Sequence, residues 1–428
     1  MMNRGVQVVE TCFVSPSEGT PKKQLWISAL DNLLAYRGHT PTVYFYRSAT
    51  DADADFFSIA RLKESMARAL VPFYPLAGRL SLDTDGQLVI DCNEEGALLV
   101  VARSDLTLDD FVDLKPSPEL KMLFVPRVEP SSVMLGIQVT FLKCGGVALG
   151  TAFHHVAGDA ISAFHFFQTW SAISREGHGA VLAAPSHDRE LLRARSPPVV
   201  HPDALSLFCR QLSLTPPSEP VVNEVFTISS GRLAALKLAA SGGGHVSTFC
   251  TISALVWRCA CVARGLHPDA KSHLTLTANI RRSLKPNLPD HYFGNAIIFL
   301  ETVALVQDVI SESLADTASR IRRVIGRMDD EVARSAIDYY KLAEGERRPP
   351  PSGSLPVTEL RVVSWLGMPV YEAGYGWGKP EMFLGAESSR QGLVHLMSDG
   401  GDGVRVLVSV EASSMEEFGR LLYANLPC

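Results

Sequence analysis

Phe153-His154-His155-Val156-Ala157-Gly158-Asp159 joins two segments whose hydrophobic patterns differ in period. Upstream, Val133 to Lys143 and Val147 to Phe153 read as two strands turning at Gly145-Gly146. Downstream, Ala160 to Arg175 reads as a helix stopped by Gly177. Phe166, Trp170 and Ile173 form one apolar stripe of that helix; Ala163, Phe164 and Phe167 form another. A helix apolar on two faces is buried. The run therefore lies where a strand ends and a buried helix begins, the place where open α/β sheets present reactive groups.

A histidine there can act as a general base near neutral pH. Asp159, four residues after His155, can cap the helix N-terminus, or pair with an arginine and fix the turn that aims the imidazole. A structural His–His pair with a capping aspartate explains the same residues, and spacing alone does not choose. No metal is expected: adjacent strand histidines face opposite ways, and no third ligand follows at metal spacing. No G-x-S-x-G elbow offers a serine nucleophile.

Further strands are expected at Thr42–Tyr46, Gln87–Asp91, Ala97–Ala102, Leu274–Ala278, Asn295–Val303 and Val404–Glu411, and helices at Asp55–Leu70, Gly231–Ala240, Ser247–Arg264, Val309–Ala343 (one helix or two) and Ser414–Ala424. Ser413 and Glu416 offer a capping box for the last. Ala183 to Pro220 is rich in Pro, Ser and Arg and reads as a crossover. The expected division is an N-terminal domain over 1–182, a crossover over 183–220 and a C-terminal domain over 221–428. The fold class is α/β with mixed sheets.

Composition narrows the function. With 46% apolar residues and a formal charge of −6, the 428 residues are neither disordered nor suited to nucleic acid or anionic membrane surfaces. A small anionic ligand needs only a local basic patch. No apolar run approaches the ~18 residues of a membrane span, and Met1 to Val14 lacks a signal-peptide core. The eight scattered cysteines suit reduced thiols and a cytoplasmic location. Cys259-x-Cys261 has no second ligand pair, so zinc is not expected there.

A second run, Gly374-Tyr375-Gly376-Trp377-Gly378-Lys379-Pro380, alternates glycine with aromatics, which suggests close backbone approach to another element or to a ligand. Together the two runs resemble the BAHD family of plant acyl-CoA-dependent acyltransferases. His155 to Asp159 matches its H-x-x-x-D motif. Gly374 to Gly378 matches D-F-G-W-G, with Gly374 in place of Asp and Tyr375 in place of Phe; Trp377 and Gly378 are kept. The likeness covers nearly the whole chain and is closest to the hydroxycinnamoyltransferase branch. It includes His39-Thr40-Pro41-Thr42-Val43-Tyr44-Phe45-Tyr46-Arg47, Leu70 to Leu80, Asp188 to Arg195 and Tyr292-Phe293-Gly294-Asn295.

The resemblance implies two chloramphenicol-acetyltransferase-like domains with an active-site channel between them. It implies direct acyl transfer from a CoA thioester in a ternary complex, with His155 as general base and Asp159 as support. By likeness, Arg281 pairs with Asp159, and Gly374, Trp377 and Gly378 are structural. Trp365 and Val363 fall where the branch has the Trp and Thr of a T-S-W run lining the oxyanion and acceptor centre. Thr40 and Tyr44 match residues near the acyl ring. Ser247 and Thr251 match the CoA-binding region, and Arg282 and Lys285 are candidates for the CoA phosphates. No cofactor is bound permanently; acyl-CoA is the co-substrate, and a monomer is expected.

The acceptor end departs from the branch twice. Val363 lacks the threonine hydroxyl, and the position of a carboxylate-gripping arginine falls on Pro350, with Arg347 and Arg348 close by. An amine acceptor is therefore preferred over shikimate or quinate. Glu301 is a candidate to meet the amine, although a solvent-facing position is the simpler explanation of it. The alternatives are O-transfer to an alcohol and a non-catalytic binding protein on the same scaffold. Loss of the motif aspartate at Gly374 is expected to loosen its loop without removing a catalytic group.

Overall fold

The computed structural model describes residues 5–48, 55–111, 115–181, 183–208, 214–217, 219–242, 244, 246–344, 353–388 and 390–427. Its contacts divide the chain into two compact units. The first holds residues 1–193, 289–296 and 368–387; the second holds 194–288, 297–367 and 388–428. The chain passes from the first to the second at Arg193–Ala194, inside the Pro- and Ser-rich stretch, and two later segments return to the first.

The first unit is built on strands β1 (Val6–Val14), β2 (Gln24–Trp26), β3 (His39–Tyr46), β4 (Arg79–Leu82), β5 (Leu88–Asp91), β6 (Ala97–Ser104), β7 (Leu135–Leu142) and β8 (Val147–His154). The second contains β9 (Val221–Ile228), β10 (Lys271–Asn279), β11 (Ile297–Leu305) and β12 (Glu359–Ser364). Strand β13 (Met382–Gly385) belongs to the first unit, and β14 (Leu393–Ser398) and β15 (Val404–Glu411) to the second. The first unit has a six-stranded sheet in the order β1-β6-β7-β8-β3-β13 and a small sheet β2-β5-β4. The second has a six-stranded sheet in the order β11-β10-β12-β14-β15-β9. Both large sheets are mixed: β6–β7, β10–β12 and β12–β14 are parallel, while their other pairs are antiparallel.

The expected hairpin forms as β7 and β8, with Gly145 at φ +79° in its turn. The buried helix spans Ala160–Glu176, and Gly177 ends it at φ +59°, a left-handed cap that glycine adopts without strain. Trp170, Phe166 and Phe167 are buried along it. In β8, a Cβ on Gly150 would sit 1.7 Å from the Phe124 carbonyl oxygen, so only glycine lets the helix Pro118–Phe124 end there.

Several elements differ from their sequence expectation. The long helical region after Val309 is three helices, Val306–Ser311, Leu314–Gly326 and Asp330–Glu344. Ser313 separates the first two because its hydroxyl accepts from the Asp316 amide and starts a new helix. The expected capping box at Ser413 and Glu416 is absent: the helix starts earlier, at Ala412, and Ser413 gives its amide and hydroxyl to Glu219 instead. A carboxylate from a distant segment thus takes the helix N-terminus. The strand expected from Asn295 begins at Ile297, leaving Asn295 in the first unit. The helix expected from Asp55 begins at Ile59. Strands β1, β2, β4, β9, β12, β13 and β14 were not anticipated. Cys259 and Cys261 are buried in the helix Thr248–Ala263, where burial pushes the Cys259 thiol up to about 12. Among the described residues no helix is long and apolar enough to cross a membrane, and no group of three or more His, Cys, Asp or Glu is placed to hold a metal.

Candidate active site

The two histidines at the end of β8 have different fates. His154 is the last strand residue, pairs with His39 across β3, and is buried. Its Nδ1 accepts the Val156 amide at 3.2 Å, and its ring meets that of His39 edge-on at 4.8 Å. Burial, with His39 and His155 adjacent, pushes its pKa down to about 3. His154 is therefore a structural neutral imidazole. His155 begins the turn, donates its amide to Gly38 O at 2.8 Å, and remains partly exposed. Its Nδ1 is buried without a hydrogen-bond partner, which leaves Nε2 on the open side of the ring. Burial, then the Arg37 guanidinium, push its pKa down to about 4. At neutral pH it is an uncharged imidazole with a lone pair to offer.

Asp159 does cap the helix, one of the two roles its position allows. It is the N-cap of the helix Ala160–Glu176, with Oδ1 accepting the Ser162 amide at 3.2 Å. Its Oδ2 accepts the Ala296 amide at 3.0 Å. Both oxygens are turned toward backbone, so the carboxylate fixes the loop between strand and helix and ties it to Gly294–Ala296. Gly158 permits the tight entry, since a Cβ there would lie 2.6 Å from Ser162 Cβ. Arg281 sits in the second unit just after β10, buried, with its amide on Asn279 Oδ1 at 3.0 Å.

Sequence reasoning missed the support behind His155. Asn295 Nδ2 donates to the His155 carbonyl at 2.8 Å and to Asp31 Oδ1 at 2.9 Å. Asp31 is fully buried, forms a capping box with Ser28, and lies 3.1 Å from Arg189 Nε. The Ser28-Ala29-Leu30-Asp31 pattern carried a local signal for this cap; Asn295 had been noted only as part of a likeness.

The glycine-aromatic turn is held by backbone hydrogen bonds and ring contacts. Tyr375, at φ +51°, donates its amide to Ser171 Oγ at 2.9 Å and accepts from Ser174 Oγ at 2.9 Å. Trp377 stacks on Phe57 at 5.0 Å, with the Arg61 guanidinium 4.5 Å over its ring. Tyr375 thus ties this turn to the helix Ala160–Glu176. A Cβ at Gly374 would stand 2.9 Å from Gly378 O.

The remaining candidates separate. Thr40 is half-buried on β3, while Tyr44 is fully buried against Phe383 and Phe167, so it is a core residue and does not line an open acyl pocket. Ser247 caps the helix Thr248–Ala263, and Thr251 is fully buried with its hydroxyl on Ser247 O; neither reading as a CoA contact is needed to explain them. Arg282 and Lys285 are exposed on the same loop as Arg281. Arg347, Arg348 and Pro350 lie outside the described residues.

In the second unit, Val363 continues the face of β12 that carries Glu359 and Arg361. Register places His273 opposite Glu359, and Thr275 opposite both Glu301 and Arg361, on that same face. Glu301 Oε1 meets His273 Nδ1 at 3.0 Å. Glu301 is thus engaged in the sheet rather than free in solvent. Burial, together with the Glu301 charge, pushes Glu359 above the usual carboxylate range. Trp365 is partly exposed at the end of β12, its ring 5.6 Å from His395.

The Transferase family model matches residues 5–424. A rice putrescine hydroxycinnamoyltransferase (Oryza sativa subsp. japonica) is 41% identical over 99% of this chain and 100% of its own length. A tobacco shikimate O-hydroxycinnamoyltransferase (Nicotiana tabacum) is 36% identical over 98% and 99%. The crystal structure of vinorine synthase superposes with a TM-score of 0.77 at 24% identity, covering 98% of both chains, which supports the fold alone.

Proposed function

The chain belongs to the BAHD transferase family, whose members are acyl-CoA-dependent acyltransferases, and on that premise we propose that it moves a hydroxycinnamoyl group from coenzyme A to a small amine. Acyl-CoA is the co-substrate. The observation that carries the catalytic assignment is His155: a neutral imidazole, partly exposed, at the end of a strand, with Nδ1 turned inward.

The chemistry needs one base. A protonated amine first gives up a proton to solvent. Its nitrogen lone pair then attacks the thioester carbonyl carbon while Nε2 of His155 takes one proton from that nitrogen, the other staying on the amide. The C–N bond forms, the tetrahedral oxyanion collapses, and the C–S bond breaks. The imidazolium returns its proton to the departing sulfur, giving amide and free CoA thiol. Base assistance of this kind contributes roughly 10²–10⁴-fold. No acyl-enzyme is required when both substrates are held together.

The amine rests on the second unit's sheet and on the relatives. Val363 offers no hydroxyl to an alcohol, and Glu301 and Glu359 share its face. The rice relative is named for an amine acceptor, putrescine. Transfer to shikimate or a similar alcohol is the second reading, favoured by the tobacco relative and by retained Trp365. Each compact unit, in this reading, is one acyltransferase-like domain of a cytoplasmic monomer. The test is p-coumaroyl-CoA with a pool of amines and alcohols, the products identified by mass. Amides are expected; a shikimate ester as sole product would refute the amine reading.

A further inference from the structure

We propose that Thr277 donates the hydrogen bond that stabilises the tetrahedral oxyanion, so that the hydroxyl Val363 lacks is supplied from the neighbouring strand. This presupposes the proposed acyl transfer, with the oxyanion forming over the face of β12 that carries Val363 and Trp365. The hydroxyl keeps its own hydrogen throughout and moves no proton.

Register sets the position. Leu276 of β10 pairs with Val362 of β12, Val363 pairs with His395 of β14, and Thr277 pairs with Phe299 of β11. Side chains alternate along each strand. Phe299, Thr277, Val363 and His395 therefore form one row across one face of the second unit's sheet. Neighbouring strands lie about 4.8 Å apart, so Thr277 is the next side chain to Val363, one strand over. Trp365 follows Val363 by two residues on the same face, its ring 5.6 Å from His395.

The Thr277 hydroxyl oxygen is buried and has no hydrogen-bond partner. Its neighbours in the row explain why. Val363 is apolar. Phe299 is apolar too, and the Arg361 guanidinium stands 4.1 Å over its ring. Further along β10, Asn279 turns its side-chain oxygen to the Arg281 amide at 3.0 Å. An unmet buried hydroxyl costs stability, and valine has the same shape without that cost. Folding alone would therefore favour valine at this position. The reaction supplies the missing partner: the carbonyl oxygen gains a negative charge as the tetrahedral centre forms, and a donor with no bond to break first is already prepared for it. The residue itself is half-buried, and rotation about χ1 exchanges its hydroxyl with its methyl, which brings the donor to the open face.

The test uses the full-length protein, with steady-state transfer from p-coumaroyl-CoA and a melting curve for each variant. Thr277→Val should lower kcat roughly 10²-fold, with KM for acyl-CoA and for acceptor within about threefold of wild type. Its melting temperature should equal or exceed that of wild type. Thr277→Ser keeps a hydroxyl and should retain kcat within about tenfold. Moving the hydroxyl one strand over, in the double variant Thr277→Val with Val363→Thr, should recover about tenfold or more of the loss. A purely structural threonine would show the reverse, a lower melting temperature and no rescue. Thr277→Val with kcat within about threefold of wild type overturns the assignment, as does a loss confined to KM of the acceptor, or a double variant no better than the single one. Esters as sole products would defeat the amine reading and leave the Thr277 assignment standing, because the same oxyanion forms with an alcohol. A wild type that transfers to no acceptor defeats both.

Discussion

Asp159 Oδ2 accepts the Ala296 amide at 3.0 Å, joining the H-x-x-x-D turn to a segment more than a hundred residues later. Because Oδ1 also caps the helix, the carboxylate holds two backbone donors. Asp159→Ala should therefore cost about 2 kcal/mol or more, from a lost cap and a buried unpaired amide. Asp159→Asn keeps acceptor oxygens and should cost less. Urea denaturation of both variants checks the order; equal stability of alanine variant and wild type would contradict it.

Tyr375 and Gly374 give opposed predictions. The Tyr375 hydroxyl is fully buried with no partner. Tyr375→Phe should leave stability unchanged or raise it by about 1 kcal/mol. Gly374→Asp restores the family residue, yet its Cβ meets Gly378 O at 2.9 Å, so backbone must shift. A lower melting temperature is expected for that variant. A higher one would mean that the missing aspartate, and not the backbone packing, limits this turn.

The pH profile separates acceptor classes. His155 titrates near 4, so it is neutral at every pH above about 5. With an alcohol acceptor, kcat/KM should be flat from about pH 5 to 8. With an aliphatic amine it should rise about tenfold per unit across that range, because free amine, near pKa 10, limits the rate. A flat profile with an amine would contradict the requirement for prior deprotonation.

Stability should fall on mild acidification. Folding depresses His154 to about 3, and His155 and His187 to about 4, from an ordinary value of 6.5, by burial first in each case. Below pH 6.5 the unfolded chain takes up protons that the folded chain refuses. The stability these groups contribute is whole above 6.5 and is lost as pH falls toward their folded values, on the order of a few kcal/mol each. The urea midpoint should drop between pH 7.5 and 5.0, a window above the range of ordinary carboxylates. An unchanged midpoint would contradict the buried neutral state.

What the sequence made legible was local. The change of period around Phe153–Asp159 placed the strand, the turn and the buried helix, and Ser247 and Gly177 marked helix ends. Contacts between distant segments were not legible. Ser413 lost its expected capping partner to Glu219, and Asn295 acquired its role only because Asp31 lies beside it. Tyr44, on a strand face that likeness linked to substrate, proved to be core, because Phe383 from β13 covers it. Neither strand order nor that covering strand follows from hydrophobic period.

The most direct measurement compares wild type and His155→Ala in steady-state transfer from p-coumaroyl-CoA to an aliphatic diamine, with thiol release and amide followed together. The account predicts amide and thiol in equal amounts from the wild type, and kcat lower by roughly 10²-fold or more in the variant. Its far-UV spectrum should be unchanged. Equal turnover by the two proteins would contradict the assignment of His155 as the base.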